Sequence, residues 1–267
     1  MLLALLVKST RRSYRKSLSH LFETQDAYSA FDQAMGLARK GHYDDALSFV
    51  DRALSMEPAE PRFYGLKGDL LLERKEFEAA MDQFDKALAR DDGYYEYYLG
   101  RGLALAELGQ TGKARQALER SHELLPTAVA SKRLGDLYLA AGERDQAKRH
   151  YGAAMEAPGP IGERAKKAFT KLDLPDQPAR YLPARPVIEG DGRFRADIAN
   201  RTGYIVSGAA FEFSAVVNGQ PRRKVIVVPR ITPNSQGRIN AGWRFSENDV
   251  VESVGVRAVG VESIGEN

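Results

Sequence analysis

Over the first two thirds of the chain, apolar positions recur at helical spacing, and the small ones among them recur at a fixed longer distance. Ala34, Gly68, Gly102 and Gly135 form one column. Ala46, Ala80, Ala114 and Ala147 form a second, and Ala53, Ala87, Ser121 and Ala154 a third. Successive copies lie 34, 34 and 33 residues apart. Each period holds two helical stripes and a turn, which predicts helices over about 27–40 and 44–56, 61–74 and 78–90, 95–108 and 111–124, and 128–141 and 144–156. Gly41, Gly109 and Gly142 stand where first helices end, suited to left-handed dihedrals. Pro58, Pro126 and Pro158 close copies one, three and four, and Asp91-Asp92-Gly93 closes the second. The small columns have a steric cause: helix axes approach to about 8–10 Å only where crossing side chains are small. Tyr64, Leu71, Phe84, Tyr98, Leu105 and Tyr151 are expected to fill the seams beside them.

A fixed period of this length implies stacked helical hairpins rather than one closed core. A lead-in helix is expected over 12–26, with Leu18, Leu21 and Phe22 at helical spacing, and a capping helix over 161–171, with Ala165, Ala168 and Phe169 inward. Leu174 to Pro186 holds four prolines in thirteen residues and is expected as a stiff linker. From Val187 the period changes to two: Phe194, Ala196 and Ile198 alternate with Arg193, Arg195 and Asp197. A strand from Tyr204 to Val217 ends at Asn218-Gly219, a strong hairpin signal, and Lys224 to Val228 returns. Further strands are expected over Arg238–Phe245 and Val251–Ile264. Short strands at this spacing predict a small antiparallel β-sandwich of immunoglobulin-like or fibronectin-like type, with Trp243 in its core. The expected organisation is therefore a lead-in (1–26), a helical-repeat domain (27–172), a linker (173–186) and a β domain (187–267).

Composition changes this picture little. The 267-residue chain has a net charge of +3 and no cysteine, which excludes disulfides and thiolate metal sites. Residues 27–160 carry 18 basic and 22 acidic side chains, and no region is basic enough to indicate nucleic acid. The apolar run Met1–Val7 is too short to span a bilayer, and its basic residues follow rather than precede it, the reverse of a secretory signal. It is expected to pack on the body, the alternative being a weak contact with a membrane surface.

The candidate chemistry is sparse. His122-Glu123 is followed by Pro126 where a second metal-binding histidine would be needed, and His20, His42 and His150 have no ligand spacing. Asp44-Asp45 and Asp91-Asp92 are read as helix-start acids rather than catalytic pairs. Gly100-Arg101-Gly102 lies inside a helix, without the strand-before-helix setting of a phosphate loop. Arg222-Arg223-Lys224 reads as a solvated strand edge that discourages sheet-to-sheet pairing. No catalytic residue, metal or cofactor is expected.

The second half of each period carries Ala46-x3-Val50, Ala80-x3-Phe84, Ala114-x3-Leu118 and Ala147-x3-Tyr151, and Leu134 precedes the small residue of the fourth first helix. These features resemble the tetratricopeptide repeat (TPR) family; Gln33, Lys67 and Arg101 depart from its leucine in the other copies. The resemblance implies a right-handed TPR α-solenoid whose first helices line a concave binding face. It nominates Tyr28, Phe31, Met35 and Arg39, then Arg62, Asp69, Leu72 and Glu73, then Glu96, Leu99, Leu103 and Glu107, and finally Lys132, Asp136 and Leu139. Apolar anchors mixed with acids suit an extended peptide or a partner helix. The Lys and Asn set with which chaperone-cofactor members clamp a C-terminal carboxylate is missing: Phe31, Gly65 and Leu99 stand in those places.

The order of parts, with Arg180-Tyr181-Leu182 in the Pro-rich segment, and phrases such as Phe63-Tyr64-Gly65-Leu66-Lys67-Gly68-Asp69 and Tyr97-Tyr98-Leu99-Gly100-Arg101-Gly102 are similar to the non-catalytic half of exported bacterial HExxH metalloproteases of the beta-barrel assembly-enhancing type. The expected function is accordingly a non-enzymatic scaffold for a protein or peptide. The alternatives are a substrate-recognition tail of such a protease or a cell-envelope assembly protein. A protease tail implies the periplasm or envelope, a free-standing scaffold the cytoplasm.

Overall fold

The computed structural model describes residues 26–265, so the lead-in helix and the Met1–Val7 run lie outside the described residues, save for Asp26. The chain divides into two compact units, one ending at Leu137 and the other beginning at Tyr138.

The first unit contains α1 (Ala27–Arg39), α2 (Tyr43–Met56), α3 (Pro61–Glu73), α4 (Phe77–Leu88), α5 (Tyr95–Glu107) and α6 (Thr111–Leu124). It ends within α7 (Ala128–Ala140). Asp26 caps α1, its Oδ1 accepting from the Ser29 amide at 2.7 Å. Pro61 opens α3, where a missing N–H costs nothing. The turns inside the three pairs repeat one geometry. His42, Glu76 and Gln110 donate their amides to Leu37, Leu71 and Leu105, at 3.0, 2.9 and 2.9 Å. The residues before them, Gly41, Lys75 and Gly109, have φ of 79°, 63° and 71°. Copy two thus makes the left-handed turn without glycine.

All twelve residues of the three small columns are buried. Phe84 shows what their size permits. Its ring fills the seam between α3 and α5, where a Cβ on Gly68 would stand 2.7 Å from it and one on Gly100 2.2 Å. Tyr97 lies equally close over Gly65, at 2.5 Å. Glycine therefore holds neighbouring first helices together around aromatic rings.

The second unit contains the end of α7, then α8 (Arg144–Ala154), α9 (Pro160–Asp173) and the short α10 (Pro178–Tyr181). Strands follow: β1 (Ala184–Ile188), β2 (Arg193–Ala199), β3 (Ile205–Val217), β4 (Gln220–Ile231), β5 (Gln236–Arg244), β6 (Val251–Gly260) and β7 (Ser263–Gly265). They form two antiparallel sheets, β1-β2-β5 and β4-β3-β6, with β7 also on β3. Alternate residues of β2 and β3 face the core, which contains Phe194, Phe211 and Phe213. Asn218 and Gly219 take φ of 52° and 72°, which makes the hairpin a two-residue turn whose twist matches its strands.

Two expectations are corrected here. Trp243 is half-buried, stacking on Phe194 with centroids 5.9 Å apart at the margin of the core. The segment 173–186, expected as a stiff linker, holds α10 and the start of β1 and is packed. Leu174 and Leu182 enter the β core, and Asp173, whose side chain is 5% exposed, takes Lys148 at 2.6 Å and the Tyr181 hydroxyl at 2.9 Å. Apolar residues between the prolines give the segment something to bury.

Candidate functional site

The nominated residues follow the first helices. In the first unit α3 packs against both α1 and α5, so the three share one face. At its start, Tyr28 donates to Glu60 Oε2 at 2.9 Å, and Arg62 Nε meets Glu60 Oε1 at 3.0 Å. The Arg62 guanidinium stands 5.4 Å from the Tyr28 ring centre and 5.7 Å from that of Phe31. Against partial desolvation, the hydrogen bonds from Tyr28 and Arg62 hold the Glu60 carboxyl below its usual range. Phe31 itself is buried against Phe63, centroids 5.1 Å apart, and belongs to the core rather than the surface. Met35 is half-buried beside the same core, and Arg39 is exposed, its Nε 3.4 Å from the Met35 carbonyl.

Further along, Leu72, Leu99 and Leu103 are half-buried, while Asp69, Glu73 and Glu96 are exposed. Asp69 touches solvent, yet protein surrounds it closely. Desolvation, together with the Glu96 and Glu73 carboxylates, pushes its carboxyl up to about 7. Among the described residues, none of these three acids has a cationic side chain within 4 Å. Glu73 and Glu96 accept from tyrosine hydroxyls, Glu73 from Tyr43 at 3.5 Å and Glu96 from Tyr95 at 3.0 Å. Desolvation, then a hydrogen bond to Glu96, pushes the neighbouring Tyr94 up to about 12. The remaining charges are paired: Glu107 lies 3.8 Å from Arg133, and Lys132 is 2.6 Å from Asp136. Leu139 is exposed and lies in the second unit.

The structure thus brings Asp69, Glu73 and Glu96 together across α3 and α5, with the three leucines on the same helices. It removes Phe31 from the surface and adds Glu60, which orients Tyr28 and Arg62. The spacing of Glu60 from Arg62 is the available signal, but Glu60 precedes the helix and so falls outside the face that the repeat defines. Asp91-Asp92, expected at a helix start, lies in the turn before α5, where Asp91 Oδ1 accepts from the Gly93 amide at 3.0 Å. Among the described residues no cluster of His, Asp or Glu is placed to hold a metal ion, and no helix is long and apolar enough to cross a membrane.

The tetratricopeptide repeat family matches residues 31–95. No curated protein matches the chain significantly. Among solved structures, the first TPR of Spaghetti (RPAP3) bound to an HSP90 peptide is 23% identical with a TM-score of 0.43, covering 45% of this chain and 95% of that one. MamA from Desulfovibrio magneticus RS-1 is 23% identical with a TM-score of 0.47, covering 54% and 79%. A thermophilic TPR protein of Thermus thermophilus is 22% identical with a TM-score of 0.47, covering 55% and 81%. At these scores the likeness extends to no ligand.

Proposed function

We propose that this tetratricopeptide repeat protein is a non-enzymatic scaffold whose first-helix face holds an extended peptide or partner segment bearing both cationic and apolar side chains. The observation that supports this most is the trio Asp69, Glu73 and Glu96, which among the described residues has no cationic side chain within 4 Å and shares its helices with Leu72, Leu99 and Leu103. A ligand ammonium or guanidinium would supply the missing charge, and the leucines would supply apolar contact. The same acids disfavour a ligand ending in carboxylates. The resemblance to metalloprotease tails adds the alternative that the bound segment is a protease substrate, held by the same face.

The test uses a fluorescein-labelled peptide of alternating Lys and Leu. Leu99→Ser with Leu103→Ser, which removes the apolar contact without adding charge, is expected to weaken its binding at least tenfold while leaving helicity unchanged by circular dichroism. Equal affinity for the wild type and the pair would sink the assignment of this face.

Asp69 gives the binding a pH dependence. Its folded pKa of about 7 lies above the ordinary 3.8, so ionising it opposes folding. That opposition is absent below about pH 4, grows as pH rises through 7 and then levels off. A cation docked beside Asp69 favours the ionised form, so the Lys-Leu peptide should bind more tightly at pH 8 than at pH 6. Asp69→Asn should remove most of that difference and raise the melting temperature at pH 8 more than at pH 5. Calorimetric titrations at the two pH values check the first point, thermal melts the second; an unaltered pH profile in the variant would refute the role of Asp69.

A further inference from the structure

We propose that the outer edge of β4 accepts an extended partner segment as an added strand, and that this segment alternates acidic with apolar side chains.

A two-residue turn closes on the pair Val217 and Gln220, which exchange both hydrogen bonds. The register between β3 and β4 then runs without a shift from Val217↔Gln220 to Val206↔Ile231. Even-numbered residues of β4 therefore turn their backbone groups towards β3, and odd-numbered ones turn them outwards. Pro221 and Pro229 both fall in the outward set, where a missing N–H breaks no ladder bond. Between them Arg223, Val225 and Val227 present N–H and C=O groups on an edge with no further strand among the described residues. The prolines thus confine the open edge to a window of about five residues.

The side chains around the window specify the occupant. Arg222 and Lys224 lie opposite Ala215 and Phe213, so they are on the face that looks towards the other sheet, and Lys224 Nζ reaches to 2.9 Å from where a Cβ on Gly242 would stand. Among the described residues, Arg222, Lys224 and Arg230 have no carboxylate within 4 Å, although Arg222 feels the charge of Asp249. Arg223 has Glu212 only at 3.9 Å, and Arg257 shares that acid at 3.2 Å. On the opposite face Val225 and Val227 are 55% and 58% exposed. An added strand would place alternate residues beside Arg222 and Lys224 and the others beside the two valines. Acids suit the first set and apolar residues the second. The concentration of cations disfavours a second copy of this strand on the same edge.

The experiment measures fluorescence anisotropy of a labelled peptide of alternating Glu and Val with the full chain. Binding is expected, and Arg222→Glu with Lys224→Glu should weaken it at least tenfold. Val225→Pro removes the central outward donor and leaves the bonds to β3 intact; it should weaken binding as much. Should that variant unfold in a thermal melt, the charge-reversal pair decides. The proposal is overturned if neither change affects binding, or if alternating Glu and Pro, equal in charge but unable to pair, binds as well. It is also overturned if the groove pair Leu99→Ser and Leu103→Ser abolishes binding, which would put the peptide on the first-helix face. Wild-type self-association lost in Val225→Pro would make a second copy the occupant and overturn it too.

Discussion

Phe84→Ala should lower the stability of the helical repeats by about 3–5 kcal/mol, the range for truncating a buried phenylalanine. The ring is 1% exposed and wedged where Gly68 and Gly100 bring α3 and α5 together, so its removal leaves a void that glycine cannot fill. Urea unfolding followed by circular dichroism at 222 nm measures the loss. A second variant separates the wedge from generic apolar burial. Gly100→Ala places a methyl 2.2 Å from Phe84 Cζ. Crowding of this kind costs about 1–3 kcal/mol, more than the gain of up to about 1 kcal/mol from replacing a helical glycine by alanine. In the Phe84→Ala background the methyl enters vacated space, and the same change should become neutral or stabilising. A Gly100→Ala effect of the same sign and size in both backgrounds would mean that ring and glycine do not share the seam.

The Phe84 wedge also shows how much of the fold was legible in the sequence. Small residues at a fixed period can be read directly, because burial at a helix crossing leaves no other residue type, and the helix ranges follow to within a few residues. The companion glycines were harder to read. Gly65 and Gly100 lie off the periodic columns, and only the structure shows the rings of Tyr97 and Phe84 above them. The same limit applies at the candidate site. Phe31 shares a helix with Tyr28 and Met35, and both rings touch Phe63; periodicity alone could not tell that Phe31 is buried there while Tyr28 stays exposed with its hydroxyl on Glu60. The exposed acids were nominated one by one, but the closeness of Asp69 to Glu96 links residues of different repeats and depends on how α3 and α5 pack. Lys75 carries no turn signal at all; it takes a left-handed φ because Leu71 and Leu72 on one side and Ala80 on the other are already committed to the core.

Prolines misled the reading of 173–186 for a related reason. Proline argues against a central strand, yet β1 is the end strand of its sheet, where Pro186 pairs with Ala196 and needs to donate nothing further. Leu174 and Leu182 were the better signal, since apolar residues spaced among prolines need a core to enter.

In the β unit the largest loss is expected from Asn200→Asp, a change of one atom. Asn200 is 1% exposed. Its Nδ2 donates to the carbonyls of Tyr204 at 2.8 Å, Thr232 at 3.0 Å and Ile231 at 3.4 Å. Its Oδ1 accepts from the Thr202 amide at 3.0 Å and the Thr202 hydroxyl at 2.7 Å. One side chain thereby joins the end of β4 to the loop before β3. Aspartate keeps the accepting half and replaces the donor with a second oxygen aimed at three carbonyls. Each unsatisfied buried group costs about 1–3 kcal/mol and a buried charge more, so a loss of about 3 kcal/mol or more is expected at pH 7. Burial and the facing carbonyls raise the folded-state pKa of the new carboxyl above its unfolded value. The deficit should then grow as pH rises from about 4 and shrink in acid, where the protonated carboxyl regains one donor. Trp243, the sole tryptophan, stacks on Phe194 in the same unit and reports its unfolding by fluorescence. A deficit equal at pH 4 and pH 7 would show that shape alone, not the direction of the Nδ2 hydrogen bonds, holds Asn200 in place.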